Sequence, residues 1–251
     1  MDQIGAIDEI PVLFEAEEDL LFGVLTRPPD SARGIGVILH QGAGIFHTNH
    51  NRTWVCLSRR LARLGYHALR YDYHGVGEST GSVPGYDLLA PFTVDLRCAL
   101  RCLEEFGVNR FVVMGSCFGG RTALALAQDG PGIAGVIVLD LPLDERTASP
   151  PGARRAGALQ TRVPAILADL EAVVLRGIHL LLVYGSEDES YAGLRKEAFN
   201  DLERILRQAS PPSAIRVLDG RLHGLPDLKI QMALADLTVS WLSESVGRGN
   251  D

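Results

Sequence analysis

The chain lacks any apolar run near the roughly 18 residues that would suggest a membrane span, so no membrane partner is expected. It also lacks the pattern of a secretory leader. Met1-Asp2-Gln3 brings no positive charge and no apolar core follows, which points to a cytoplasmic protein. Excess basic charge is missing too: 24 Lys and Arg face 31 Asp and Glu, a net charge of −7. No basic stripe is available to displace phosphate counterions, which argues against nucleic-acid binding. Cysteine is scarce, and Cys56, Cys98, Cys102 and Cys117 have no framework spacing, so free thiols are expected. Cys98 and Cys102, four apart on an expected helix, read as packing residues. No His/Cys/Asp set has ligand spacing, so no metal is expected. No cofactor is implied, and there is neither an internal repeat nor a low-complexity tract.

What is present is a core-forming chain of 251 residues, 46% hydrophobic and 22% charged, suited to one domain with a short insertion. Ile10–Phe14 and Leu20–Thr26 flank an acidic turn and read as an edge hairpin. Gly34–His40, a short continuous apolar run, reads as a strand buried on both faces, and Ile133–Leu141 as another buried strand; Tyr66–Tyr73, Arg110–Gly115, Ile178–Tyr184 and Ala214–Leu218 also read as strands. Helical patterns alternate with them at Arg52–Leu64, from Pro84-Gly85 to Phe106-Gly107, at Phe118–Gln128, at Tyr191–Gln208 and at Pro226–Val246. The alternation predicts an α/β fold: a mostly parallel twisted sheet of about eight strands with helices on both faces. Residues 142–176 break the rhythm. Their length, their Pro/Gly/Arg-rich start and a helical pattern from Val163 to Leu175 suggest a small lid.

The chemistry centres on Gly115-Ser116-Cys117-Phe118-Gly119-Gly120. A strand enters a glycine-flanked tight turn and leaves at once as a helix, a geometry that projects the central residue as a nucleophile. Ser116 precedes the centre and would not project. In a parallel sheet, ligands gather at the carboxyl ends of strands. Two further residues fall just past later strands: Asp188 in Tyr184-Gly185-Ser186-Glu187-Asp188, and His223 after the last strand. A helix N-terminus and a protonated imidazole would lower the thiol pKa of Cys117. His223 would serve as general base and Asp188 would accept its other N–H, with Glu187 the competing acid. Backbone N–H groups of Phe118 and Gly42 would form the oxyanion hole, Ala43 replacing Gly42 if the loop frame is shifted by one. His47, Asn49, His50 and Arg52 either line a pocket or cap the following helix. His74 either lines the pocket or serves its turn, and Asp72 is expected to organise that turn through local hydrogen bonds.

These motifs carry a resemblance that extends over nearly the whole chain. His40-Gln41-Gly42-Ala43-Gly44 resembles the HGxG oxyanion loop of the α/β-hydrolases, with Gln41 breaking the His-Gly pair. Tyr71-Asp72-Tyr73-His74-Gly75-Val76-Gly77-Glu78-Ser79 resembles their D-x-R-G-x-G-x-S turn, with His74 in place of arginine. The Cys117 elbow is similar to that of the dienelactone hydrolase group. The resemblance implies an α/β-hydrolase fold, with nucleophile, acid and histidine in that chain order. The reading is a Cys–His–Asp hydrolase acting through an acyl-enzyme on an ester, lactone or thioester of a small organic acid. Its partner is a small carbonyl substrate, free or borne by a carrier protein. Acyl transfer, thioester release or elimination in a biosynthetic pathway would use the same Cys–His pair, and a non-catalytic binding relative is the remaining class.

Overall fold

The computed structural model describes residues 7–29, 32–143 and 163–247. Eight strands form one sheet in the order β1-β2-β4-β3-β5-β6-β7-β8. β1 (Asp8–Ala16) and β2 (Asp19–Arg27) make the antiparallel edge hairpin, and β2 pairs antiparallel with β4 (His67–Tyr71). From β4 onward every pairing is parallel, through β3 (Ile35–His40), β5 (Arg110–Ser116), β6 (Ile133–Leu139), β7 (His179–Gly185) and β8 (Ala214–Leu218). The central strands are apolar throughout because both their faces are covered, and all six residues of β3 are buried.

Two layers of helix cover the sheet. α1 (Thr53–Arg63) lies on one face, joined there by α7 (Leu228–Trp241). Trp54, Leu57 and Leu61 of α1 share a core with Ile230, Leu234 and Trp241 of α7 and with Val37, Val112 and Ile137 of the sheet. α2 (Thr93–Glu104), α3 (Phe118–Ala127), α4 (Val163–Leu175), α5 (Glu189–Glu197) and α6 (Phe199–Arg207) contribute to the core on the other face. Tyr191–Gln208 reads from sequence as one helix, but the structure has two. Ala198 leaves helical geometry (φ −143°, ψ 3°) while staying buried, so Leu194 and Leu202 on either side of the break both face the core. Most of the expected lid, residues 144–162, lies outside the described residues. The part described, α4, buries Ile166, Leu170 and Val173 in the core. No helix among the described residues is long and apolar enough to cross a membrane.

Strand order reverses direction at β3, with β4 on one side and β5 on the other. The loops leaving β3 and β5 therefore open a crevice at the carboxyl end of the sheet. Close approach there is set by glycine. A Cβ on Gly115 would lie 2.2 Å from Gly119 O, and one on Gly119 would lie 2.4 Å from Gln41 O. Gly115→Ala is expected to lower the free energy of unfolding by about 1–3 kcal/mol in urea titration, the cost of overpacking a site that cannot yield. Gly85→Ala, where a Cβ meets nothing within 4 Å, should be neutral in the same titration.

Candidate active site

The end of β5 becomes the start of α3 through a single residue, Cys117, at φ 52° and ψ −116°. A non-glycine residue is rarely held there, and such strain of about 1–3 kcal/mol persists only where the surroundings over-determine it. They do: Cys117 N–H donates to Leu139 O at 2.8 Å, and Cys117 O accepts Arg121 N–H at 3.2 Å in the first turn of α3. Gly42 lies against Cys117, since a Cβ added to it would sit 3.4 Å from Cys117 Cβ and from Ser116 O. Gln41, the departure from the HGxG pattern, is buried and its side-chain amide donates to Tyr71 O, fixing the loop base to β4.

Asp140 follows β6 directly, so it stands beside Cys117 at the ends of neighbouring strands. Its N–H donates to Val183 O at 2.8 Å, and it too takes a positive φ of 52°. Its carboxylate is buried and doubly bound. Oδ1 accepts the Ser190 hydroxyl at the start of α5, and Oδ2 faces Nδ1 of His223. This hydrogen bond is the largest influence on His223 and raises its pKa above the ordinary histidine value, against the opposing effect of burial.

Asp188 is therefore not the carboxylate on the imidazole. It is buried at the N-terminus of α5, where Oδ2 accepts Gly185 N–H and Leu222 N–H, each at 3.0 Å. Its oxygens also accept His223 N–H at 3.1 and 3.2 Å. Asp188 holds the backbone of the histidine loop, and Asp140 holds the ring. Burial, followed by the charge of Asp140, raises the Asp188 pKa, and the backbone donors oppose that rise. Gly185 permits the arrangement: a Cβ there would lie 2.4 Å from Leu222 N and 2.6 Å from Asp188 Oδ2. Glu187, the competing acid, is exposed.

The thiol also departs from expectation. Burial pushes Cys117 up to about 12, the charge of Asp140 adds to the rise, and a hydrogen bond from Phe118 N–H opposes it. The helix N-terminus does not win, because the sulfur is out of water and next to a carboxylate. Both effects favour the thiol over a preformed thiolate.

The two histidines expected to line a pocket are each tied to an aspartate. His47 N–H donates to Asp72 Oδ1 at 2.5 Å and its Nδ1 lies 2.9 Å from Oδ2. Asp72 also accepts Glu78 N–H at 3.2 Å, so it organises its turn as expected. Both His74 N–H and its Nδ1 are 2.8 Å from Asp95 Oδ2, with the ring packed on Phe92 at 4.4 Å. Phe92 and Tyr86 in turn pack on the ring of Phe118, at 4.9 and 5.1 Å between centroids. His74 thus reaches the elbow only through an aromatic wall.

A parallel sheet with its switch point at β3, a strained residue between β5 and α3, and a carboxylate-bound histidine after the last strand form one pattern. The family described as alpha/beta hydrolase fold matches residues 37–161. The chain has the alpha/beta hydrolase fold. Over 74 residues it is 32% identical to RutD of Klebsiella pneumoniae (strain 342), designated a carbamate hydrolase, which covers 30% of this chain. The chain spans only 27% of the length of that relative. The Pyrococcus furiosus esterase Pf2001 superposes with a TM-score of 0.72 at 14% identity, covering 95% of this chain and 93% of that one. A dienelactone hydrolase from Anabaena variabilis gives 0.67 at 16% identity, covering 95% and 98%. At such identities these two structures establish a shared fold.

Within this hydrolase fold, Asp140 and Ser190 are the site residues that sequence reading misses. The apolar run Ile133–Leu141 hides Asp140 inside an expected strand. The signal was available, since a lone carboxylate at the carboxyl end of a strand buried on both faces needs a partner. The neutral thiol generates a prediction. In a pH series with iodoacetamide and peptide mapping, exposed Cys56 is alkylated near pH 7 while Cys117 lags, its rate rising about tenfold per pH unit toward pH 10. Equal rates at pH 7 would mean that Cys117 and His223 rest as an ion pair.

Proposed function

We propose that this chain is a cysteine hydrolase of an ester, lactone or thioester of a small organic acid, with Cys117 as nucleophile, His223 as general base and Asp140 as its orienting acid. The observation that carries the reading is the buried Asp140 carboxylate on His223 Nδ1, one strand over from the strained elbow at Cys117. Asp140 replaces Asp188 in the catalytic role, and Asp188 sets the position of the histidine loop.

Asp140 accepts the Nδ1 proton, which leaves the other ring nitrogen of His223 basic. That nitrogen takes the Cys117 proton as sulfur attacks the substrate carbonyl, so charge develops on the acyl oxygen while the thiol is consumed. The thiol is too weak an acid to ionise beforehand. Proton transfer therefore has to accompany attack, and stabilisation of the oxyanion sets the barrier. Phe118 N–H, at the start of α3, passes from the sulfur to the acyl oxygen, and Gly42 N–H is the second donor. Collapse of the tetrahedral intermediate expels the leaving group, which takes its proton from His223. Water, deprotonated by the same nitrogen, then cleaves the thioester and returns the thiol. The carbamate hydrolase and the esterase to which the chain is similar fit a carbonyl carrying a heteroatom leaving group.

Incubation with p-nitrophenyl acetate and intact-mass analysis tests this reading. One acetyl group on the protein, mapped to Cys117 and absent in Cys117→Ala, is expected; turnover that survives Cys117→Ala sinks it. The two aspartates should separate in the same assay. Asp140→Asn should lower kcat/KM by about 10³–10⁴-fold, as loss of the tautomer-fixing acid does elsewhere. Asp188→Asn, which leaves one acceptor for the backbone donors, should instead cost about 1–3 kcal/mol of stability with a smaller loss of rate. The reverse ranking would return the acid to Asp188.

A further inference from the structure

Behind the Gly42 loop lies a fully buried tyrosine, Tyr73, which the chemistry above does not use. Its hydroxyl oxygen accepts Gly44 N–H at 2.5 Å, and lies 3.1 Å from Gly42 O and 3.1 Å from the hydroxyl of Tyr86. A phenol has one proton to give and two lone pairs. Gly42 O can only accept, so the Tyr73 proton goes there. Tyr86 then donates its own proton to Tyr73. In this assignment the Tyr73 oxygen receives two donors and gives one proton, leaving nothing unused in a buried position. Burial also holds the Tyr73 hydroxyl far above the ordinary phenol range, so the proton is never lost.

The bonded groups belong to the turn that carries the second oxyanion donor. Ile45 N–H donates to Gly42 O at 3.3 Å, and Gly44 sits at φ 70°, the left-handed third position of a type II turn. The middle peptide of such a turn, from Ala43 C=O to Gly44 N–H, rotates on going to the type I form, which re-aims Gly44 N–H. Tyr73 binds the N–H of that peptide, on Gly44, and the carbonyl of the peptide before it, Gly42 O, so it holds the turn on both sides of Ala43 and fixes the residue whose own N–H is the second donor.

We propose that Tyr73 is a positioning residue for catalysis, pinning the 42–45 turn through Gly42 O and Gly44 N–H while Tyr86 orients its proton, so that the loop N–H stays aimed at the acyl oxygen over Cys117. This rests on the acyl-enzyme reading and deepens it. Tyr86, only partly buried in the 84–92 loop, connects the surface of that loop to the oxyanion peptide. Substrate contact at Tyr86 would thereby reach the oxyanion hole through two hydroxyls.

The test compares wild type, Tyr73→Phe and Tyr86→Phe for acetylation of Cys117 by p-nitrophenyl acetate, KM, urea stability and affinity for an aryl trifluoromethyl ketone. That ketone forms a tetrahedral adduct on a thiol and so reports the oxyanion hole directly. Tyr73→Phe should acylate about 10–100-fold more slowly with KM within about twofold, and lose ketone affinity by the same factor as the rate. A merely structural tyrosine would lower the urea midpoint and leave ketone affinity relative to KM unchanged, and that result overturns the proposal. If Tyr73→Phe does not fold, Tyr86→Phe decides: a fall of about threefold in rate and ketone affinity at constant KM is expected, and wild-type values overturn it. Wild-type protein that gains no acyl mass defeats the acyl-enzyme reading and this proposal with it. An acylated wild type beside an unimpaired Tyr73→Phe defeats this proposal alone.

Discussion

Backbone passes backbone at the elbow with no room for a single carbon between them. The space a Cβ would need on Gly115 is filled by Gly119 O, and the space on Gly119 by Gln41 O. That contact brings β5, α3 and the loop after β3 into register at one point. Because the three are locked together, Cys117 can be held at φ 52°. The strain is carried by paired backbone groups on both sides and not by the cysteine itself. Gly42 then lies against Cys117, and the Phe118 N–H at the head of α3 lies on its sulfur.

The second constraint is electrostatic. Two carboxylates, Asp140 and Asp188, are buried beside one histidine, and neither could be left there without donors. The structure divides the donors between them: ring N–H and a serine hydroxyl to Asp140, backbone N–H groups to Asp188. The division fixes both the loop that carries His223 and the rotation of its ring. It also keeps the thiol protonated, since the field of Asp140 and the lack of water both oppose a negative sulfur. A resting thiol shifts the demand of the proposed reaction onto the oxyanion hole. The buried hydroxyl of Tyr73 on the 42–45 turn is placed where that demand falls.

Much of this was legible in the chain. Alternating apolar runs and helical periods gave a mostly parallel sheet covered on both faces, and the edge hairpin appeared around its acidic turn. The glycine-flanked elbow and a histidine past the last strand marked the two ends of the site. What misled was the rule that the acid lies past a later strand. Both Asp140 and Asp188 satisfy it, and only Asp188 stood clear of its strand in the apolar pattern. The break at Ala198 was equally invisible, because the residues on either side keep the period of one amphipathic helix.

Sequence alone determined the order of elements, the elbow and the identity of the nucleophile and base candidates, because these depend on local spacing and on glycine at fixed positions. Only the tertiary structure decided which aspartate meets the imidazole, that burial and a neighbouring carboxylate raise the Cys117 pKa, and that Tyr73 sits under the 42–45 turn. Each of those depends on groups brought together from distant parts of the chain: Asp140 and His223 are 83 residues apart, and Gly42 and Tyr73 are 31 apart. Hydrogen-bond partners across such separations, and the dielectric that sets a buried pKa, exist only once the strands are packed.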